Sequence, residues 1–192
     1  MSNRNWKKEI INIPNLLSFF RLALIPVYIT TYLRAVDWYD YAVSGGILAV
    51  SCLTDMLDGR IARKYNQITT LGKILDPVAD KATQFALTLC LSMKYEALRW
   101  VLALFIVKEL FQGLVGLLYL RKGMMLPGAI FAGKVCTTVL FVSLIFMVLF
   151  PTLPETVINV IAVVDSVFLI FSFIGYAFAY FGRNQKLKEL GQ

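Results

Sequence analysis

The sequence predicts an all-α integral membrane protein with six transmembrane helices, and three observations predict it. First, 58% of the 192 residues are hydrophobic, only 16% are charged, and the mean hydropathy is +0.69. A soluble domain carries about a quarter charged residues, so this chain has too little polar surface to face water on all sides. Second, six mainly apolar stretches occur at 16–33, 41–62, 77–93, 100–120, 130–150 and 157–181, each near the roughly 20 residues that a membrane helix needs. Third, the segments between them differ in charge from one side to the other, as expected for a chain that crosses a bilayer repeatedly.

The first stretch is entered through 10–17, which reads as an interfacial amphipathic segment with Pro14 at the turn into the span. It is too long for a cleaved leader, contains Arg21 and lacks a small-residue cleavage site, so it is expected to be retained. The second follows the charged break at 37–40, and the third follows the basic loop at 63–73. The remaining breaks lie at 94–99, 121–128 and 151–154, the last bounded by Pro151 and Pro154. One side receives Arg4, Lys7, Lys8, Arg63, Lys64, Lys73, Arg121, Lys122, Arg183, Lys186 and Lys188, whereas the other receives Arg34, Lys94 and Arg99. The positive-inside rule therefore places both termini and the basic loops in the cytoplasm. The chain reads as a single domain over 1–192, with a cytoplasmic N-terminal segment at 1–14 and a short, polar tail at 182–192 expected to fray. Trp38, Tyr39, Tyr41 and Trp100 sit near span ends, where aromatic side chains anchor to the interface.

Composition also excludes chemistry. The chain contains no histidine, which removes Ser-His-Asp and Cys-His nucleophile systems and histidine zinc sites. Cys52, Cys90 and Cys136 all lie in apolar stretches with no CxxC pair, so they read as small core residues rather than a disulfide framework. The net charge of +7 is accounted for by topology, because the basic residues sit between apolar segments; no nucleic-acid partner is implied.

The segment 54–81 carries the chemistry. Asp55 and Asp58 are spaced i, i+3 at the end of one apolar run, and Asp76 and Asp80 are spaced i, i+4 at the start of the next. Each pair shares one helical face, and the loop between them is short enough for neighbouring antiparallel helices. An aspartate inside a span costs about 2.5–3.5 kcal/mol on insertion scales, so four are expected to face a polar cavity and share cations. Facing pairs would form a cup whose mutual repulsion divalent ions remove, and oxygen-only ligands suit Mg²⁺ or Mn²⁺. Mg²⁺ commonly completes its shell with phosphate oxygens, which implies a phosphate or diphosphate substrate. Gly59 and Ala62 are small residues next to the acidic face, Arg63 carries a fork suited to phosphate, and Gly72 permits close approach.

These residues fit D-x-x-D-G-x-x-A-R-(x)8-G-x-x-x-D-x-x-x-D at Asp55, Asp58, Gly59, Ala62, Arg63, Gly72, Asp76 and Asp80. The pattern resembles the signature of the CDP-alcohol phosphatidyltransferase family, and the resemblance extends to Asn12–Asn15 with Arg21 and to Gly133-Lys134 with Thr137 and Thr138. It implies a six-helix, usually homodimeric enzyme of the inner membrane, with a polar cavity open to the cytoplasm and two Mg²⁺ or Mn²⁺ ions. Asp55, Asp58, Asp76 and Asp80 match the family's metal ligands, Asp80 its proposed general base, and Asp55, Gly59, Ala62, Arg63 and Gly72 residues around the CDP moiety. The donor implied is CDP-diacylglycerol, with a polar alcohol as acceptor and CMP as product.

Within the family, the opening Asn12-Ile-Pro-Asn15-Leu-Leu and the run 71–81 are similar to the bacterial phosphatidylglycerophosphate synthases, whose acceptor is glycerol 3-phosphate. Lys134 and Lys108 are the candidates for holding the acceptor's phosphate, although Lys134 also reads as a snorkelling residue and Lys108 with Glu109 as a structural pair. Those synthases usually carry Arg-Glu where Lys108-Glu109 stands, and a second arginine where Val115 stands. The stretch Tyr119-Leu-Arg-Lys with Leu126-Pro127 is similar to cardiolipin synthases that use CDP-diacylglycerol and phosphatidylglycerol. A transporter or ion pathway is the rival of a different class, since intramembrane carboxylates also mark ion paths; Asp165 in the last span reads instead as a local hydrogen-bonding residue.

Overall fold

In a computed structural model, residues 12–65, 69, 71–121 and 131–189 are described, and among them the chain forms helices and no strand. The helices are α1 (Ile13–Arg34), α2 (Trp38–Lys64), α3 (Gly72–Lys94), α4 (Ala97–Arg121), α5 (Phe131–Leu149) and α6 (Glu155–Glu189). Each coincides with one predicted stretch. Among the described residues, four helices are long and apolar enough to cross a membrane: α1, α4 over Ala97–Tyr119, α5, and α6 over Glu155–Tyr180. The helices α2 and α3, 27 and 23 residues long, carry Asp55, Asp58 and Arg60, and Asp76, Asp80 and Lys81, respectively.

Burial is inverted relative to a soluble domain. Trp100 and Phe178 are each 75% exposed, and many leucines and valines face outward, while Arg21, Asp58, Lys108 and Asp165 are all buried. In water such a surface would be unstable; in lipid it is the favourable one, because apolar side chains meet acyl chains and charged ones face inward. The protein is a membrane protein.

Local signals explain the helix ends. Pro14 occupies the first turn of α1, where its missing donor costs nothing, and Leu16 N–H reaches Asn12 O at 2.9 Å. The interfacial entry at 10–17 lies partly outside the described residues; from Ile13 it is continuous with α1. Pro26 sits inside α1, and Thr30 Oγ1 donates back to Pro26 O at 2.9 Å. At the start of α2, the Asp40 carboxylate accepts from Val36 N–H at 3.0 Å and Asp37 N–H at 3.3 Å, bonds that hold its carboxyl below the ordinary range.

Two boundaries differ most from the sequence reading. Helix α3 starts at Gly72 rather than Pro77, because Thr69 Oγ1 accepts Gly72 N–H at 2.9 Å and initiates the helix before the proline. Helix α6 runs on to Glu189 through residues expected to fray. The segment after Tyr180 contains no proline to break the helix.

The chain forms two compact units. The first comprises residues up to Cys90 with Val148–Pro151. Its α1 and α2 meet through Tyr32 and Tyr41, whose rings are edge-on with centroids 5.5 Å apart, and Leu48, Ala79, Ala86, Leu87 and Cys90 are buried. The second comprises Leu91–Met147 and residues from Thr152 onward. There Phe111 packs on Phe173 with centroids 4.8 Å apart, Tyr119 donates to Tyr180 O at 2.9 Å, and Tyr119, Tyr176 and Tyr180 form a buried cluster. Ser143 donates to the buried Asp165 at 2.6 Å, the local role expected for that carboxylate. Cys90 and Cys136 are buried and Cys52 is half-buried, as small core residues are.

Gly133 lies where a Cβ would press on the Tyr176 ring, 2.7 Å from Cε2 and 2.8 Å from Cζ. Because Tyr176 is buried in its cluster, Gly133→Ala is expected to lower stability by about 1–3 kcal/mol. The midpoint of thermal unfolding in detergent measures this, and an unchanged midpoint would show that the ring moves aside freely.

Candidate active site

The site is built where α1, α2 and α3 meet in the first unit. Asp55 and Asp58 project from α2, one turn before its end region, and Asp76 and Asp80 from the first turns of α3. The early start of α3 matters here, since it puts Asp76 on the same helix as Asp80, one turn apart. The four carboxylates of the two helices lie around side chains that come from α1.

Arg21 of α1 is the centre of the cluster. Its Nη1 contacts Asp55 Oδ1 at 2.6 Å and also Asp80 Oδ1, and its Nη2 contacts Asp58 Oδ2 at 2.5 Å. One turn earlier, Ser18 donates to Asp76 Oδ1 at 2.6 Å, with Asp58 Oδ2 at 3.5 Å. All four carboxylates are thus tied to one face of α1. Exposure is graded across them: the Arg21 and Asp58 side chains are only 2% and 4% exposed, while those of Asp55 and Asp80 are 47% and 49% exposed. Asp58 forms the floor and Asp55 and Asp80 the accessible rim.

A third residue of the same α1 face, Asn15, is also buried and sets the approach of α3. Its Oδ1 accepts from Thr69 Oγ1 at 3.1 Å, and a Cβ on Gly72 would lie 2.7 Å from that Oδ1 and 3.1 Å from Thr69 Oγ1. Gly72 therefore lets the start of α3 close on α1. Gly59, Ala62 and Arg63 lie on α2 beyond Asp58, but their side chains are outside the described residues.

The two candidate acceptor-binding lysines belong to the second unit. Lys108 is buried and pairs with its neighbour Glu109 at 2.7 Å, so the structural pairing is formed. Lys134 is exposed in the first turn of α5. Val115 packs against the tyrosine cluster.

The donor chemistry fits a hard divalent cation. The four carboxylates supply only oxygen, two are accessible, and even with Arg21 present acidic groups outnumber the cation. Among the described residues, no group of three or more acidic side chains is placed to hold a metal ion as the side chains stand; the four carboxylates are spread around the guanidinium and the Ser18 hydroxyl. Asp55, Asp58, Asp76 and Asp80 are the residues that would hold such ions, with phosphate or water completing each shell.

Sequence reasoning centred on the aspartates and left Arg21, Ser18 and Asn15 out of the site. The signal was available: the three recur every third residue on one helical face, and a charged Arg21 inside an apolar span requires an anionic partner.

A membrane-embedded helical protein with an acidic, oxygen-donor cup is the class that fold and site define. Residues 11–174 match the CDP-alcohol phosphatidyltransferase family, and the chain belongs to it. It is 32% identical over 145 residues to a probable phosphatidylglycerophosphate synthase of Mycobacterium tuberculosis, covering 74% of this chain and 68% of that protein. It is 46% identical over 70 residues to the CDP-diacylglycerol–glycerol-3-phosphate 3-phosphatidyltransferase of Escherichia coli K12, covering 36% of this chain and 38% of that one. The Shigella flexneri protein of the same name matches over the same share.

Gly72→Ala is expected to lower stability by about 1–3 kcal/mol, since the buried Asn15 amide must give way. An Asn15→Ser background removes the clashing oxygen and is expected to shrink that loss. Equal losses in both backgrounds, measured by thermal unfolding, would show that the Asn15 contact does not determine the need for glycine.

Proposed function

We propose that the protein transfers the phosphatidyl group of CDP-diacylglycerol to glycerol 3-phosphate, giving phosphatidylglycerophosphate and CMP. The observation that carries this is the gathering of Asp55, Asp58, Asp76 and Asp80 around one point of the α1 face, in a chain of this family whose relatives carry that activity in their names. The whole chain reads as one domain with six membrane-crossing helices, α2 and α3 included, and forms a homodimer. The site and both termini face the cytoplasm of the inner membrane, which the bias of Lys and Arg supports.

Two Mg²⁺ or Mn²⁺ ions held by the four aspartates would supply the positive charge that offsets the diphosphate and the departing CMP. Asp55, Gly59, Ala62, Arg63 and Gly72 are the residues assigned to the CDP moiety. Asp80, at the rim, accepts the proton of the acceptor hydroxyl. The resulting oxygen attacks the β-phosphorus, the one bearing diacylglycerol; its bond to the bridging oxygen breaks, and CMP leaves with that oxygen. Lys108 and Lys134 are assigned to the acceptor's phosphate.

One observation favours a second acceptor. Val115 stands where the synthases usually carry arginine, and it is committed to an apolar contact with the tyrosine cluster. An acceptor site with one cation fewer suits phosphatidylglycerol, giving cardiolipin.

The purified protein, given labelled CDP-diacylglycerol and Mn²⁺ or Mg²⁺, is expected to release CMP only with glycerol 3-phosphate among glycerol 3-phosphate, phosphatidylglycerol and inositol phosphate. Release with phosphatidylglycerol alone would move the assignment to the second acceptor. No release with any, together with ion flux in vesicles, would favour a transporter. Asp58→Asn and Asp76→Asn are each expected to reduce turnover by at least about a thousandfold while the protein stays inserted and helical. Retained turnover in either would remove the metal assignment.

A further inference from the structure

We propose that Arg21 is a resident counter-ion of the acidic cup, with which a divalent cation competes for the rim carboxylates. The proposal rests on the metal reading of the cup given above. Arg21 contacts carboxylates from two helices at once, Asp55 and Asp58 of α2 and Asp80 of α3. At 2% exposure it has almost no water to solvate it, so its charge is balanced by these groups and theirs by it. Breaking such a buried arrangement from one side leaves uncompensated charge in a poor solvent.

The geometry divides the partners into two kinds. Asp58 is buried with Arg21 and has little freedom to turn. Asp55 and Asp80 share a single Arg21 nitrogen and are about half exposed, so either side chain can rotate toward the cup's opening without repacking the helices. Since no three acidic groups converge on one point among the described residues, ion binding requires some of them to turn. The rim pair is what turns, while the Asp58–Arg21 contact holds α1 to α2.

Two consequences follow from this competition. Arg21 keeps the cup assembled when no ion is bound, and it lowers the cup's affinity for the ion, because one positive charge opposes another at short range. Stability and metal affinity are thus coupled through one side chain, and removing that side chain must move them in opposite directions. Arg21 is a positioning residue in this role.

The test uses the full-length protein in lipid nanodiscs, as wild type, Arg21→Gln, and Arg21→Gln with Asp55→Asn. Thermal unfolding is followed in chelator and in Mn²⁺, and Mn²⁺ binding is titrated by electron paramagnetic resonance of the free ion. In chelator, Arg21→Gln is expected to unfold on the order of 5–10 °C below wild type. Mn²⁺ is expected to raise its midpoint more than that of wild type and to bind it at least about fivefold tighter. The double variant, which removes one carboxylate along with the cation, is expected to regain part of the lost midpoint in chelator. An Arg21→Gln midpoint equal to wild type in chelator, or Mn²⁺ affinity equal or weaker, overturns the proposal. So does a double variant no more stable than the single one, which also decides the case if Arg21→Gln alone does not fold. A wild type that binds no Mn²⁺ overturns the metal reading instead, while the chelator comparisons still decide the counter-ion role.

Discussion

The structure depends on how carboxylates survive at the end of an apolar helix bundle. Asp55, Asp58, Asp76 and Asp80 lie on two helices of a largely apolar chain, where an unbalanced charge is costly. The balance comes from the polar face of α1. Arg21 binds three of the carboxylates, Ser18 binds the fourth, and Asn15 with Thr69 and Gly72 draws the start of α3 into place. Fold and chemistry are therefore one problem here. The contacts that hold α1, α2 and α3 together in this region are the contacts that gather the four carboxylates.

Away from the cup, packing follows different rules. Tyr119, Tyr176 and Tyr180 with Phe111 and Phe173 give the second unit its aromatic contacts, and Gly133 allows the Tyr176 ring to sit against α5. Two buried polar pairs there are local: Ser143 with Asp165 Oδ2, and Lys108 with Glu109. Both bonds are made inside the protein.

Much of this was legible in the sequence, and the reasons are physical. Apolar runs of bilayer length located every helix among the described residues, because the solvent imposes both length and polarity. The i, i+3 and i, i+4 spacing of the aspartates fixed which face they share. What stayed hidden depended on contacts between distant segments. Arg21 lies 34 residues before Asp55 and its role emerges only when α1 packs on α2. The start of α3 was masked by Pro77, since the Thr69 hydroxyl that initiates the helix outweighs the proline signal. The helical continuation of α6 was hidden by its polarity, which speaks against a span without speaking against a helix.

The family assignment and the named relatives point to the same chemistry, transfer of a phosphorus group between alcohols. The most direct measurement is anomalous scattering from crystals of the protein grown with Mn²⁺ and CDP-diacylglycerol. Manganese peaks within coordination distance of Asp55, Asp58, Asp76 and Asp80, with the diphosphate bound against them, are the expected result. A diphosphate bound elsewhere, or manganese away from all four aspartates, would contradict the central claim.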